Sequence, residues 1–326
     1  MSNVETDPVE QRCENDPEAE SGIQILTSRE VPLGGPRAML VRRTLPQRAR
    51  SLIGAWCFAD HYGPDDVSVS GGMNVAPHPH TGLQTVSWLF TGEIEHRDTL
   101  GTHAMVRPGE LNLMTAGRGI AHSEVSTPET TTLHGAQLWV ALPDAARDTD
   151  PAFEHFRPDP VEVAGATIRV FLGSLAGSTS PVDTFTALLG AEILLEPGAL
   201  VSLDIDPTFE TGVLVDRGEV TMAGTRIGWA ELGYQAPGHR VLELRNDGDE
   251  EARLLVLGGE PLGEQVIMWW NFMGRTHEEI VAYREQWQAE IGEGESAERR
   301  FGQVDGYDGA PLPAPVLPNS RLRPRG

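Results

Sequence analysis

The sequence predicts an all-β protein built from two strand-rich halves of one pattern, followed by a single C-terminal helix. Three observations carry this. Gly (36) and Pro (24) punctuate short apolar runs along most of the 326 residues, which is the grammar of a loop-rich β protein rather than a helical bundle. The strand pattern of the first half restarts in the second. Only one long segment has helical periodicity, and it lies near the C-terminus. The length suits two ordinary domains.

Residues 1–21 begin "MSNVETDPVEQRCENDPEAE". This acidic stretch reads as a solvated, disordered tail and lacks the basic and apolar regions of a secretion signal. "AMLVRR" and "TVSWLF" read as strands. "TGEIEHRD" turns back with alternating apolar and polar residues. "VRPGELNLM" carries a turn at Pro108-Gly109, and "GAQLWVALP" is a further strand. These make a first domain over 22–145. After "TIRVFLG" the pattern resumes with "ALVSLDI", "TGVLVDRGEVTMAG", "AELGYQAPG", "RVLELRN" and "ARLLVLGG", a second domain over 165–292. In "RTHEEIVAYREQWQAEIG", Thr276 and Glu279 form a capping box, Ile280, Tyr283, Trp287 and Ile291 recur at helical spacing, and Gly292 ends the run. Residues 293–326, rich in Gly, Pro and Arg, read as a flexible tail.

Composition excludes several functions. A formal net charge of −23 opposes the phosphate attraction that drives nucleic-acid binding, though not contact with a basic protein. All 25 basic residues are arginines, which removes lysine Schiff bases, the P-loop lysine and lysine general bases. Cys13 and Cys57 make no disulfide framework and fit a reducing compartment. No apolar run approaches the roughly 18 residues of a membrane helix. A soluble cytoplasmic protein is expected.

The candidate site lies in two short stretches. "APHPHTGLQTVSW" places His78 and His80 one residue apart, and "TAGRGIAHSE" repeats that spacing with His122 and Glu124. Side chains at i and i+2 of a strand share a face. Two strands side by side in a barrel would present all four groups to one point, and imidazoles with a carboxylate suit a divalent first-row metal. Each pair alone also reads as ordinary surface or hydrogen-bonded residues. What favours the metal is the cost, several kcal/mol, of burying such groups without a partner.

The halves align well enough to compare. An offset of 126 (218 − 92) lays Gly92-Glu93 on Gly218-Glu219, and an offset of 121 (231 − 110) lays Glu110, Leu111 and Gly117 on Glu231, Leu232 and Gly238. His78, His80, His122 and Glu124 then fall on Asp204, Asp206, Glu243 and Arg245. A fixed cation at a ligand position repels a metal, so the second half is expected to bind none. Of the other residues, His96 sits between Glu95 and Arg97 and is expected in solvent. His134 is a candidate pocket residue, Trp88 and Trp139 are expected in the core, and His277 opens the helix.

Read together, "HPHTGLQTVSWLFTGEIEHRD", "PGELNLMTAGRGIAHSE" and "HGAQLWVALP" strongly resemble the pirin family, over roughly residues 25–290 and most densely over 77–142. The resemblance implies a bicupin: two tandem cupin (jelly-roll-like) β-barrels with a C-terminal helix, and a mononuclear Fe(II)-type centre in the first barrel. The family's ligands map onto His78, His80, His122 and Glu124. Such a donor set also accepts Mn, Co, Ni, Cu or Zn. Some pirins are quercetin 2,3-dioxygenases that open the flavonol ring and release carbon monoxide. The resemblance thus implies a flavonol-type substrate and O2, and Glu124, swung off the metal, could act as a base for the substrate hydroxyl. Others are metal-dependent regulators that bind a partner protein such as a transcription factor, and that alternative stays open. Two positions depart from the family pattern: Thr81 stands where it usually has Arg, and Gln84 where it usually has Glu, which puts substrate preference in doubt.

Overall fold

Period-two burial sets the layers. Along Ile94–Asp98 the residues Ile94, His96 and Asp98 are buried while Glu95 and Arg97 are not. Along Val241–Asn246 it is Leu242, Leu244 and Asn246 that turn inward. Strands with one apolar face must pair that face with another layer. In the computed structural model, which describes residues 22–33, 39–292 and 299–326, each half does so by closing a seven-stranded sheet over a four-stranded one.

In the first barrel the large sheet runs from Ala152–Phe156 through Leu111–Thr115, Leu83–Thr91, Thr132–Ala141, Trp56–Asp66 and Met39–Leu45 to Arg29–Leu33. The small sheet pairs Asn74–His80, Ile120–Ser126, Ile94–Asp98 and His103–Val106. The second barrel repeats this order, its small sheet being Leu200–Asp204, Val241–Asn246, Val220–Met222 and Thr225–Ile227. The repeat expected from the sequence is therefore present as two cupin barrels. One strand crosses over: Gln24–Leu26, ahead of the first barrel's own strands, pairs with Leu232–Gln235 in the second barrel's sheet.

The two large sheets face each other. Trp56, Trp88, Leu113 and Leu138 from the first pack on Phe171, Leu214, Leu255 and Leu257 from the second. The Trp56 indole N–H reaches across to the carbonyls of Leu189 (3.1 Å) and Gly258 (3.2 Å). Trp88, expected in the core, packs here on Phe171 at 4.5 Å. At Gly54 (φ +55°) a Cβ would sit 2.7 Å from the Gly259 Cα, so only glycine lets the barrels approach this closely.

Helix His277–Ile291 has the predicted capping box, with Thr276 and Glu279 bonding each other's backbone. Ile280, Tyr283 and Trp287 are its buried face. The expectation of a flexible C-terminal tail fails for residues 299–326. Phe301, Val304, Ala314 and Leu322 join the helix's apolar cluster. Arg325 makes a backbone bridge to Val266, and the Leu312 N–H bonds Pro77 O at 2.8 Å. Proline and arginine content masked these widely spaced apolar anchors. Residues 293–298 and the acidic tail over 1–21 lie outside the described residues, as does Cys13. Cys57 is buried. Among the described residues, no helix is long and apolar enough to cross a membrane.

Candidate metal centre

Strand Asn74–His80 pairs antiparallel with Ile120–Ser126, placing His122 opposite His78 and Ile120 opposite His80. A register shift between His122 and Glu124 sets Glu124 opposite Val75. Such a bulge re-aims the side chains on either side of it. His78, His80, His122 and Glu124 are all buried. The structure brings the three imidazoles together, with one donor nitrogen from each within 4.8 Å of the others. The Glu124 carboxylate groups by the same measure with His122 and His96, rather than with all three.

The tautomers can be read from hydrogen bonds. His78 Nδ1 lies 2.8 Å from Ala76 O, so Nδ1 carries the proton. Its Nε2 is buried and has no hydrogen-bond partner, a lone pair aimed at the centre. His122 Nδ1 lies 3.3 Å from His96 Nδ1, and His96 Nε2 lies 3.2 Å from Asp98 Oδ2. A chain of donation from His122 to His96 to Asp98 leaves His122 Nε2 unprotonated, as orienting partners of metal ligands do. His80 Nε2 faces His122 Nε2 at 3.1 Å. Neighbouring ligands each about 2.1 Å from an ion lie about 3 Å apart, so this separation suits a shared cation.

Electrostatics agrees. Burial pushes the His78 imidazole down to about 3. His80 and His122 lie well below the usual imidazole range, first through burial and then through neighbouring imidazoles. All three are neutral at physiological pH, the form that ligates. The donor set therefore fits a divalent first-row ion.

The surroundings correct several expectations. His96 is buried rather than solvent-facing. The strand period held that signal, because His96 shares a face with Ile94 while Glu95 and Arg97 share the other. Asp98 and Ser87 are further residues the sequence reading missed. The Ser87 hydroxyl lies 3.2 Å from Glu124 Oε1 and 2.9 Å from Gln137 Oε1, and its one proton serves either. Trp139 stacks on Phe58 and presents its ring edge-on to His80 at 5.2 Å, so it is both core and site wall. Thr81 donates to Met273 O. Gln84 donates to Thr115 Oγ1 at 2.9 Å, on the face that carries Val86 and Trp88. The Gln84 departure thus changes the barrel contact more than the charge at the imidazoles.

His134 does not join this centre. Its Nε2 lies 2.5 Å from Asp216 Oδ1, and His61 Nε2 lies 2.6 Å from the same oxygen. The three could in principle hold a metal. However, Arg42 Nε donates to His61 Nδ1 at 3.3 Å, which leaves the proton on Nε2 and no lone pair there. This is an inter-barrel hydrogen-bond lock. Neither His61 nor Asp216 shows in sequence, since 155 residues separate them.

The second barrel corrects the alignment. Asp204, Asp206, Glu243 and Arg245 are all exposed. Arg245 pairs with Asp247, and Asp206 bonds the Thr208 N–H. On these strands the interior belongs to Val201, Leu203, Leu242 and Leu244, so the aligned residues are one position out of phase with the barrel interior. The repulsion argument from Arg245 therefore does not hold, because that cation points away.

Comparison with known proteins agrees with this architecture. The pirin family model matches residues 38–140, and the model of the pirin C-terminal cupin domain matches residues 190–291. A Pseudomonas aeruginosa protein named "Putative quercetin 2,3-dioxygenase" is 42% identical over 297 residues, covering 91% of each chain. A pirin-like protein of Caulobacter vibrioides is 34% identical, covering 76% of this chain and 88% of the relative. The crystal structure of a quercetin 2,3-dioxygenase from Acinetobacter baumannii superposes with a TM-score of 0.86 at 37% identity, over 94% of this chain and 99% of that one.

Proposed function

The chain belongs to the pirin family, and on that footing we propose that it is a metal-dependent dioxygenase acting on flavonol-type substrates. His78, His80, His122 and Glu124 would hold one divalent ion, Fe(II) by preference. The observation that carries this reading is the buried, unpartnered Nε2 of His78 facing two further imidazoles within 4.8 Å. The similarity to proteins named for quercetin 2,3-dioxygenation supports the substrate class.

A bound ion would supply Lewis acidity and a redox partner for O2. The remaining work falls to the chain. The His96–Asp98 pair fixes the ring of His122. Glu124, reached by the Ser87 hydroxyl, would take the proton of a flavonol hydroxyl. Trp139, stacked on Phe58, gives an apolar wall beside His80 that excludes water.

The test is single-turnover. Protein loaded with Fe(II) is mixed anaerobically with quercetin, O2 is admitted, and the flavonol absorbance is followed. The expected result is a metal-dependent loss of absorbance with release of carbon monoxide, absent from the variant with all four residues changed to Ala. A wild-type protein that holds the metal and leaves quercetin unchanged would overturn the proposal.

A further inference from the structure

A cavity of about 610 Å³ lies between the barrels, away from the metal centre. Leu89 and Phe90 line it from the first barrel, and Arg169, Glu192 and Arg253 from the second. Arg157, on the segment joining the barrels, stands at its edge. We propose that this cavity binds a small organic acid, with its carboxylate on Arg253 and Arg169 and its apolar body on Phe90.

The guanidinium groups are present but underused. Arg253 is only 18% exposed, and its Nε is buried without a hydrogen bond. Its approaches to Glu192 (3.7 Å) and Asp216 (3.5 Å) are long, as is that of Arg169 to Glu192 (3.4 Å). A charge-assisted N–H···O bond is about 2.7–2.9 Å long, so both forks keep donor capacity for an incoming carboxylate. The lining holds three arginines (157, 169 and 253) and two carboxylates (Asp159 and Glu192), with Asp216 and Glu110 at long range from Arg253 and Arg157. Burial raises the Glu192 carboxyl, against the pull of Arg253 and Arg169, so Glu192 competes weakly for these forks.

The walls choose among anions. The Arg253 guanidinium lies 4.8 Å over the Phe90 ring, and Leu89, Leu194 and Pro158 add apolar surface. An inorganic anion would leave that surface wet, whereas an aromatic carboxylate covers it. The volume falls in the roughly 300–1,000 Å³ range of small-molecule sites, which favour domain junctions.

Benzoate and inorganic phosphate are the probes, titrated calorimetrically into the metal-loaded protein. Benzoate should bind more tightly than phosphate, equally in wild type and His122→Ala, with affinity about tenfold or more weaker in Arg253→Gln. Should Arg253→Gln fail to fold, Arg169→Gln tests the other fork of the same site, and Arg157→Gln, at a residue 78% exposed, should weaken binding less. The proposal falls if benzoate shows no binding up to about 10 mM, or if the folded Arg variants bind it unchanged. It also falls if His122→Ala abolishes binding, which would place benzoate at the metal centre, or if phosphate binds better.

Discussion

The two barrels share strand order and sheet pairing, yet their interiors differ in kind. On the first barrel's small sheet the inward positions hold His78, His80, His122, His96 and Asp98. On the second, the corresponding strands fill the space with Val201, Leu203, Leu242 and Leu244. The apolar interior needs nothing more to be stable. The polar one leaves lone pairs buried without partners, an arrangement that costs free energy until something binds them. One fold thus serves as a packed support in one copy and as a candidate metal centre in the other, and the difference lies in a few inward side chains.

The largest effect expected on this contrast comes from His122→Ala. Removing the ring that faces both His80 and His96 should lower metal affinity by at least about a hundredfold, read by elemental analysis after dialysis, while the fold persists by circular dichroism. A variant that keeps a full complement of metal would show that the imidazoles are not the ligands.

The second effect lies between the barrels. Asp216→Asn removes the carboxylate shared by His61, His134 and Arg253 and should destabilise the protein by about 3 kcal/mol, measured by denaturant unfolding. The same group predicts a pH dependence. Burial lowers the His61 pKa below the unfolded value of about 6.5. The unfolded chain therefore binds its proton first as pH falls, and stability is lost below that value. Burial alone would raise Asp216, but hydrogen bonds from His134 and His61 hold it well below the usual carboxylate range. Its contribution is present above the unfolded carboxylate pKa and is also lost on acidification. Stability should fall between about pH 6.5 and 4 through His61 in both proteins, and below about pH 4 it should fall further in wild type, less steeply in Asp216→Asn. Equal slopes below about pH 4 would contradict this.

His96→Ala should be milder than His122→Ala, costing roughly 10–100-fold in metal affinity because the ligand remains but its ring is no longer oriented. His96→Gln, which can still bond His122, should recover part of the loss. Smallest is Arg245→Ala. With its side chain pointing outward, it should change stability by less than about 0.5 kcal/mol and create no second metal site. A second ion appearing in that variant would revive the repulsion argument.

The fold was legible because its signals are local. Strand alternation, the Pro108-Gly109 turn and the Thr276/Glu279 capping box each depend on residues a few positions apart. The spacing of His78 with His80 and of His122 with Glu124 was legible for the same reason. What escaped depends on distance or on phase. His96 was misplaced because its charged neighbours drew more notice than its inward partners Ile94 and Asp98. The aligned residues of the second barrel came out one position off, since a single-residue slip flips every side chain to the other face. The His61–Asp216 contact and the packed C-terminal segment join residues far apart in the chain, and no short-range pattern encodes them.

X-ray absorption at the metal edge of the loaded wild-type protein probes the central claim most directly. The account predicts one ion per chain with a nitrogen/oxygen first shell and outer-shell scattering that fits three imidazoles. A spectrum with one imidazole or none, or a protein that retains no ion, would contradict it.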